Sequence, residues 1–207
     1  NKKATLELGG KSANIIMDDA PIDQAVEGIV NGIFFNQGHV CCAGSRLFVQ
    51  ESVANEVVRK LKDRMETLII GDPLDKNTDI GAINSREQLN KIKALVKVGV
   101  NEGGDCYQSS CTLPSKGFWF KPTIFTGVAQ SSRIVQEEIF GPVLSIQTFR
   151  TVEEAIEKAI LESLKKDKMM EAKEFFLKQK EEHNKDAEQR NKKLQDSENR
   201  AKQIEQS

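Results

Sequence analysis

The stretch FFNQGHVCCAGSR, Phe34 to Arg46, places two adjacent thiols, Cys41 and Cys42, in a glycine-flanked break with His39 close by. A cysteine attacks as its thiolate, which a helix N-terminus or a nearby cation favours and an apolar core suppresses. The residue types therefore permit two readings. The pair either holds a nucleophile in an irregular segment whose main-chain amides can face an oxyanion, or it is two small apolar residues of a core. A carboxylate base is offered by TLELGGKS, Thr5 to Ser12, where Glu7 sits between Leu6 and Leu8. Partial desolvation there would raise its pKa toward the range of a general base.

Metal chemistry fits the same residues poorly. Cys41 and Cys42 are adjacent and point in different directions, and Cys106 and Cys111 do not form a C-x-x-C pair. No zinc set is expected from them and His39. His39 reads as a loop residue. The phosphate-cradling patterns G-x-G-x-x-G and G-x-x-x-x-G-K do not occur, and LGGKS, Leu8 to Ser12, is only a fragment of one.

The elements that must position these groups follow an α/β pattern. NIIM (Asn14 to Met17), RLFVQ (Arg46 to Gln50), FWF (Phe118 to Phe120), TIF (Thr123 to Phe125) and LSIQTF (Leu144 to Phe149) predict short strands. Between them, Val26, Ile29, Val30, Ile33 and Phe34 recur at helical spacing. So do Val57, Val58, Leu61, Met65 and Leu68, and then Leu89, Ile92, Leu95 and Val96. The alternation predicts a layered α/β domain, with GDPLDKNTDIG (Gly71 to Gly81) as a surface loop.

Composition changes sharply after Arg150. All 14 glycines and 5 prolines precede that point, and the remainder is rich in Lys, Glu, Gln and Ala, which predicts one long charged helix from Thr151 onward. Ala187, Leu194 and Ala201 fall in one register, but Arg190 and Ser197 occupy its other core position. That segment reads as a coiled coil, a solvated helix or a disordered tail. The expected division is residues 1–160 and 161–207, one domain plus an appendage, as the length of 207 residues allows. With 30 basic and 31 acidic residues and no basic stripe, nucleic acid is not an expected partner. The 4 cysteines, with no apolar run long enough for a membrane span, point to free thiols and a soluble cytoplasmic protein.

Five stretches in order resemble successive motifs of the NAD(P)-dependent aldehyde dehydrogenase superfamily. They are LELGGKSANIIMDDA (Leu6 to Ala20), FFNQGHVCCAGSR, GDPLDKNTDIGAI (Gly71 to Ile83), GFWFKPTIF (Gly117 to Phe125) and EEIFGPV (Glu137 to Val143). GHVCCAGSRLFVQESV looks closer to the family-sixteen branch than to the class one and two enzymes. The resemblance implies an aldehyde-dehydrogenase-like catalytic domain, a Rossmann-like parallel sheet flanked by helices, here incomplete and followed by the long C-terminal helix. It implies that Cys41 is the nucleophile, Cys42 its non-nucleophilic neighbour and Glu7 the general base. Glu138 then matches the glutamate that binds the nicotinamide ribose, and Phe140 the residue lining the same part of the cofactor site. Gln88 and Lys91 fall where the family can touch the adenosine ribose.

The chemistry so implied is oxidation of a small-molecule aldehyde with NAD or NADP, through a thiohemiacetal and a thioester on Cys41, with no metal. The resemblance also implies a truncated chain. The dinucleotide-binding domain that precedes this segment in the family is missing, and Ile160 begins the charged helix where an N-N-x-x-Y-G-L stretch is expected. Impaired turnover is therefore expected of the isolated chain, because loss of one oxyanion donor alone costs roughly two orders of magnitude or more. The alternative is a non-catalytic or regulatory fragment, docking on related subunits through the domain and joining a homo-oligomer or a helical partner through the tail.

Overall fold

The computed structural model describes residues 10–160 and 192. The chain divides into two units, Asn1–Ala159 and Ile160–Ser207, and the sheet belongs to the first. β1 (Ala13–Ile16) leads to α1 (Ile22–Phe34), a 3-10 turn (Phe35–Gly38) and β2 (Arg46–Gln50). After α2 (Ala54–Glu66) and α3 (Arg86–Asn101) come β3 (Asp105–Gln108), β4 (Thr123–Thr126), α4 (Arg133–Gln136), β5 (Val143–Phe149) and α5 (Val152–Ala159). The longer helices form on the stripes seen in the sequence. α1 buries Val26, Ile29, Val30, Ile33 and Phe34, α2 buries Val57, Leu61 and Met65, and α3 buries Leu89, Ile92 and Leu95. Ser85 caps α3, its hydroxyl accepting the Gln88 N–H at 3.1 Å.

The strands lie in the order β1-β2-β5-β4-β3, so the last strand among the described residues is the middle one in space. β1, β2, β5 and β4 are parallel, with Ala13 beside Arg46, Arg46 beside Ser145 and Thr123 beside Val143. Strand alternation sends Leu47, Val49, Ile124, Leu144 and Ile146 to the core shared with α1 and α2. Phe125 and Val143 join the core of α3 and α4, and Phe48 and Phe149 meet Ala155 of α5. Helices on both faces are what a buried parallel sheet requires. No helix among the described residues is long and apolar enough to cross a membrane.

The expected α/β architecture is present, with differences at one end of the sheet. β3 was not foreseen: it pairs antiparallel with β4, Asp105 opposite Thr126, so the sheet is mixed rather than wholly parallel. Its residues are mostly exposed, which leaves no apolar alternation to mark it. FWF, expected as a strand, is irregular. The Phe118 carbonyl accepts the Ile83 N–H, and the Trp119 indole donates to Lys116 O. Pro122, just downstream, has no N–H to continue a ladder. α5 takes up residues 152–159 of the expected charged helix, while its continuation and the heptad register lie outside the described residues.

Arg46, the first residue of β2, is only 4% exposed. Its Nε donates to Lys11 O at 2.8 Å, Nη2 to Ala159 O at 2.8 Å and Nη1 to Lys158 O at 3.2 Å. The cation thus sits on the last carbonyls of α5, where the helix dipole is negative. One side chain fixes the segment before β1, the start of β2 and the end of α5. Arg46→Met takes the guanidinium donor from all three carbonyls, of which Lys158 O keeps Gln130 Nε2 at 2.9 Å, and should destabilise the unit by about 2–4 kcal/mol. Urea denaturation measures this, and a loss below about 0.5 kcal/mol would mean that water replaces the guanidinium.

Candidate active site

Parallel strands bring the segments before β1, β2 and β5 to one edge of the sheet. These are the Gly10 segment, the cysteine loop, and the turn Glu138–Pro142. After α1 the chain reverses through Asn36 and Gln37, both left-handed at φ 49° and 59°. Asn36 Nδ2 donates to His39 O at 3.2 Å, and Gln37 Oε1 accepts the Gly81 N–H at 2.9 Å. Gly38 follows at φ +72°, and a Cβ there would collide with Gly141 O. The cysteine loop and the turn before β5 therefore touch backbone to backbone, an approach that glycine permits. A Cβ on Gly10 would come within 3.7 Å of Cys41 O. A small cleft between the three segments is lined by Gly10, Gly38, Val40, Glu138, Phe140 and Gly141.

Cys41 and Cys42 are both exposed, so they are not core residues. Tight turns enclose them, with Ala43 N–H donating to Val40 O and Ser45 N–H to Ala43 O. Among the described residues the Cys41 N–H has no acceptor. Cys106 and Cys111 lie in and just after β3, and no group of three or more His, Cys, Asp or Glu among the described residues is arranged to hold a metal. Glu7 lies outside the described residues.

Glu138 and Phe140 share the cleft, and Phe140 is left-handed at φ 56°. His39 stacks on the Phe140 ring at 5.3 Å with 6° between planes. Its Nε2 is buried without a partner among the described residues, and burial lowers the imidazole pKa from its ordinary value. Gln88, expected near an adenosine ribose, directs its side-chain nitrogen to Ile139 O and Phe140 O, both at 2.8 Å. Its amide hydrogens are occupied by the turn, which leaves Oε1 for any other contact.

Two features of the site were not anticipated from the sequence. Phe35, 70% exposed, opens the 3-10 turn just past the buried stripe of α1 that ends at Phe34. Lys11 is 8% exposed with Nζ buried and unpartnered among the described residues. Burial first, and then the Arg46 charge, lower its pKa to about 7, opposed by the Glu138 carboxylate. A lysine directly after two glycines and before the apolar β1 was the available clue.

The family model described as the aldehyde dehydrogenase family matches residues 1–159. Retinal dehydrogenase 2 from Gallus gallus is 47% identical over 158 residues, covering 76% of this chain and 30% of the relative. Mitochondrial aldehyde dehydrogenase from Rattus norvegicus is 44% identical over 158 residues, again 76% of this chain and 30% of the relative. The chain thus spans under a third of the length of these curated relatives. An NAD-dependent aldehyde dehydrogenase from Sinorhizobium meliloti superimposes with TM-score 0.71 at 39% identity, over 74% of this chain and 31% of that one. Betaine aldehyde dehydrogenase from Staphylococcus aureus, in complex with NAD+, gives TM-score 0.71 at 40% identity, over 74% and 31%.

The depressed pKa of Lys11 has a definite effect on stability. Between about 7 and its ordinary 10.5 the unfolded chain binds more protons at this amine than the folded one. Its contribution is therefore full above the ordinary pKa and is lost as pH falls toward the folded value. Lys11→Met removes the penalty and should stabilise the protein at pH 7 by on the order of 1–4 kcal/mol. The gap between variant and parent should narrow as pH approaches about 10, and denaturant midpoints at the two pH values measure it. An equal gap at both would contradict a buried, ionisable amine at this position.

Proposed function

The chain belongs to the aldehyde dehydrogenase family, and on that footing we propose that it supplies the thiol and the cofactor-side turn for NAD(P)-dependent oxidation of a small aldehyde to its carboxylic acid. The observation that carries this reading is the meeting of the cysteine loop with the Glu138–Pro142 turn, backbone against backbone at Gly38 and Gly141. It brings the loop that carries two exposed thiols against the turn that carries a carboxylate, Glu138, and an aromatic ring, Phe140.

In this reading the Cys41 thiolate forms a bond from Sγ to the aldehyde carbon, and the carbonyl oxygen takes the charge as an oxyanion. The Cys41 N–H, which has no acceptor among the described residues, donates to that oxyanion. Cys42 stays outside the reaction. Glu7 takes the proton of the water that hydrolyses the Cys41 thioester. Beside this narrow cleft Glu138 offers an acceptor for the hydroxyls of a dinucleotide's ribose, and Phe140 offers a ring face. The dinucleotide, when bound, supplies the hydride acceptor. A reducing, cytoplasmic setting agrees with Cys41, Cys42, Cys106 and Cys111 all standing as free thiols.

An activated ester such as 4-nitrophenyl acetate acylates a thiolate without any hydride acceptor, and so isolates the nucleophile. Cys41→Ala should slow nitrophenolate release by at least about tenfold, and Cys42→Ala should leave it within about twofold. Glu7→Gln should slow decay of the acetyl thioester by about a hundredfold, so that acetyl accumulates on Cys41 in peptide mass maps. Equal acetylation of the two thiols in folded protein would remove Cys41 from this role.

A further inference from the structure

We infer that Gln88 and His39 are positioning residues that together hold Phe140 in its left-handed conformation, Gln88 through the main chain and His39 through the ring. A bulky residue at positive φ is disfavoured and persists only where its surroundings over-determine it. Two such attachments are present. The Gln88 amide spans consecutive carbonyls, Ile139 O and Phe140 O, at 2.8 Å each. Gln88 is itself anchored, because its N–H donates to the capping Ser85 hydroxyl in the first turn of α3. Ile92, one turn further on, packs so closely on the same loop that a Cβ at Gly141 would lie 2.6 Å from its Cδ1. The clamp is therefore part of a buried helix and not of a free side chain.

The ring is held from the cysteine loop. His39 lies parallel to Phe140, and its own backbone is pinned by Asn36. The His39 N–H donates to Asn36 O at 2.9 Å, and Asn36 Nδ2 donates to His39 O. With no hydrogen-bond partner at Nε2 among the described residues, the imidazole acts by contact. The direction of the Phe140 ring is thus set by two other elements, one of them two residues from Cys41. Gln88 thereby shapes the cofactor-side turn through its Nε2, while its Oε1 stays available for a further contact. The bearing on catalysis rests on the proposed function; the geometry does not.

The chain has 2 histidines, His39 and His183. NMR of the full chain labelled at the imidazole ε1 carbon therefore gives one signal for each, assigned with His183→Gln. The His39 signal should be displaced by the Phe140 ring current, and Phe140→Leu should abolish that displacement and define its size. Gln88→Met keeps the length without the donors, and Gln88→Glu puts a carboxylate against the two carbonyls. Both should lose most of the displacement while methyl signals elsewhere stay dispersed. An undisplaced parent signal, or an unchanged one in folded Gln88→Met, would overturn the inference. Unfolding of both Gln88 variants would overturn it too, by making Gln88 a residue of the fold and not of this turn. No signal here needs turnover. Failure of Cys41 as a nucleophile with these shifts as expected would sink only the enzymatic reading, and the converse result only the positioning.

Discussion

A buried guanidinium met by carbonyls, with no ion pair of its own among the described residues, is the interaction on which the rest of the site depends. Arg46 donates to Lys11, Lys158 and Ala159, and each acceptor is main chain. Carbonyl dipoles can meet a buried cation where a carboxylate does not fit, and here they come from both ends of the first unit's sequence. Part of the cost falls on Lys11, whose amine loses its proton more readily, chiefly because it is buried and then because Arg46 sets a second positive charge near it. Arg46 also lies over the Phe48 ring at 5.5 Å. The start of β2 is thereby fixed from several directions, and the cysteine loop hangs from that fixed point.

From there the site is assembled largely by backbone. Gly38 lies against Gly141, Gly10 near Cys41 O, and the Gln88 amide on two consecutive carbonyls. The Gly38–Gly141 contact tolerates little displacement, because neither partner has a side chain that can rotate away. It also explains why two left-handed residues, Asn36 and Gln37, follow α1: the chain must reverse abruptly to bring Gly38 within reach of the second loop.

Much of this was legible in the residues. Val26, Ile29, Val30, Ile33 and Phe34 have one spacing and one buried face, and RLFVQ is a strand with the bounds its β-branched and aromatic content implies. The break after Phe34 could be read from Asn, Gln and Gly together. What could not be read depends on tertiary surroundings. DCYQ is a strand because β4 offers it an edge, not because its own pattern is amphipathic. FWF has strand-forming residues, yet its polar groups bond elsewhere. Cys41 and Cys42 have the same side chain, and their exposure, which removes the core reading, is a property of the fold. The motif resemblance placed Gln88 near a cofactor, and the donation of its Nε2 to two carbonyls of the cofactor-side turn is a contact that only the fold reveals.

The position of β5 imposes an order on folding. It pairs with β2 on one side and β4 on the other, yet about a hundred residues separate it from β2. As the chain leaves the ribosome, β1 and β2 can join early, and β3 and β4 can join later, but each pair keeps an open edge until β5 emerges and slots between them. β5 is therefore the keystone of the sheet, and it carries the cofactor-side turn with it. Non-local closure of this kind is intrinsically slow, and the inner edges of both pairs stay open until it happens. A holdase that shields those edges would favour the native chain over its aggregates.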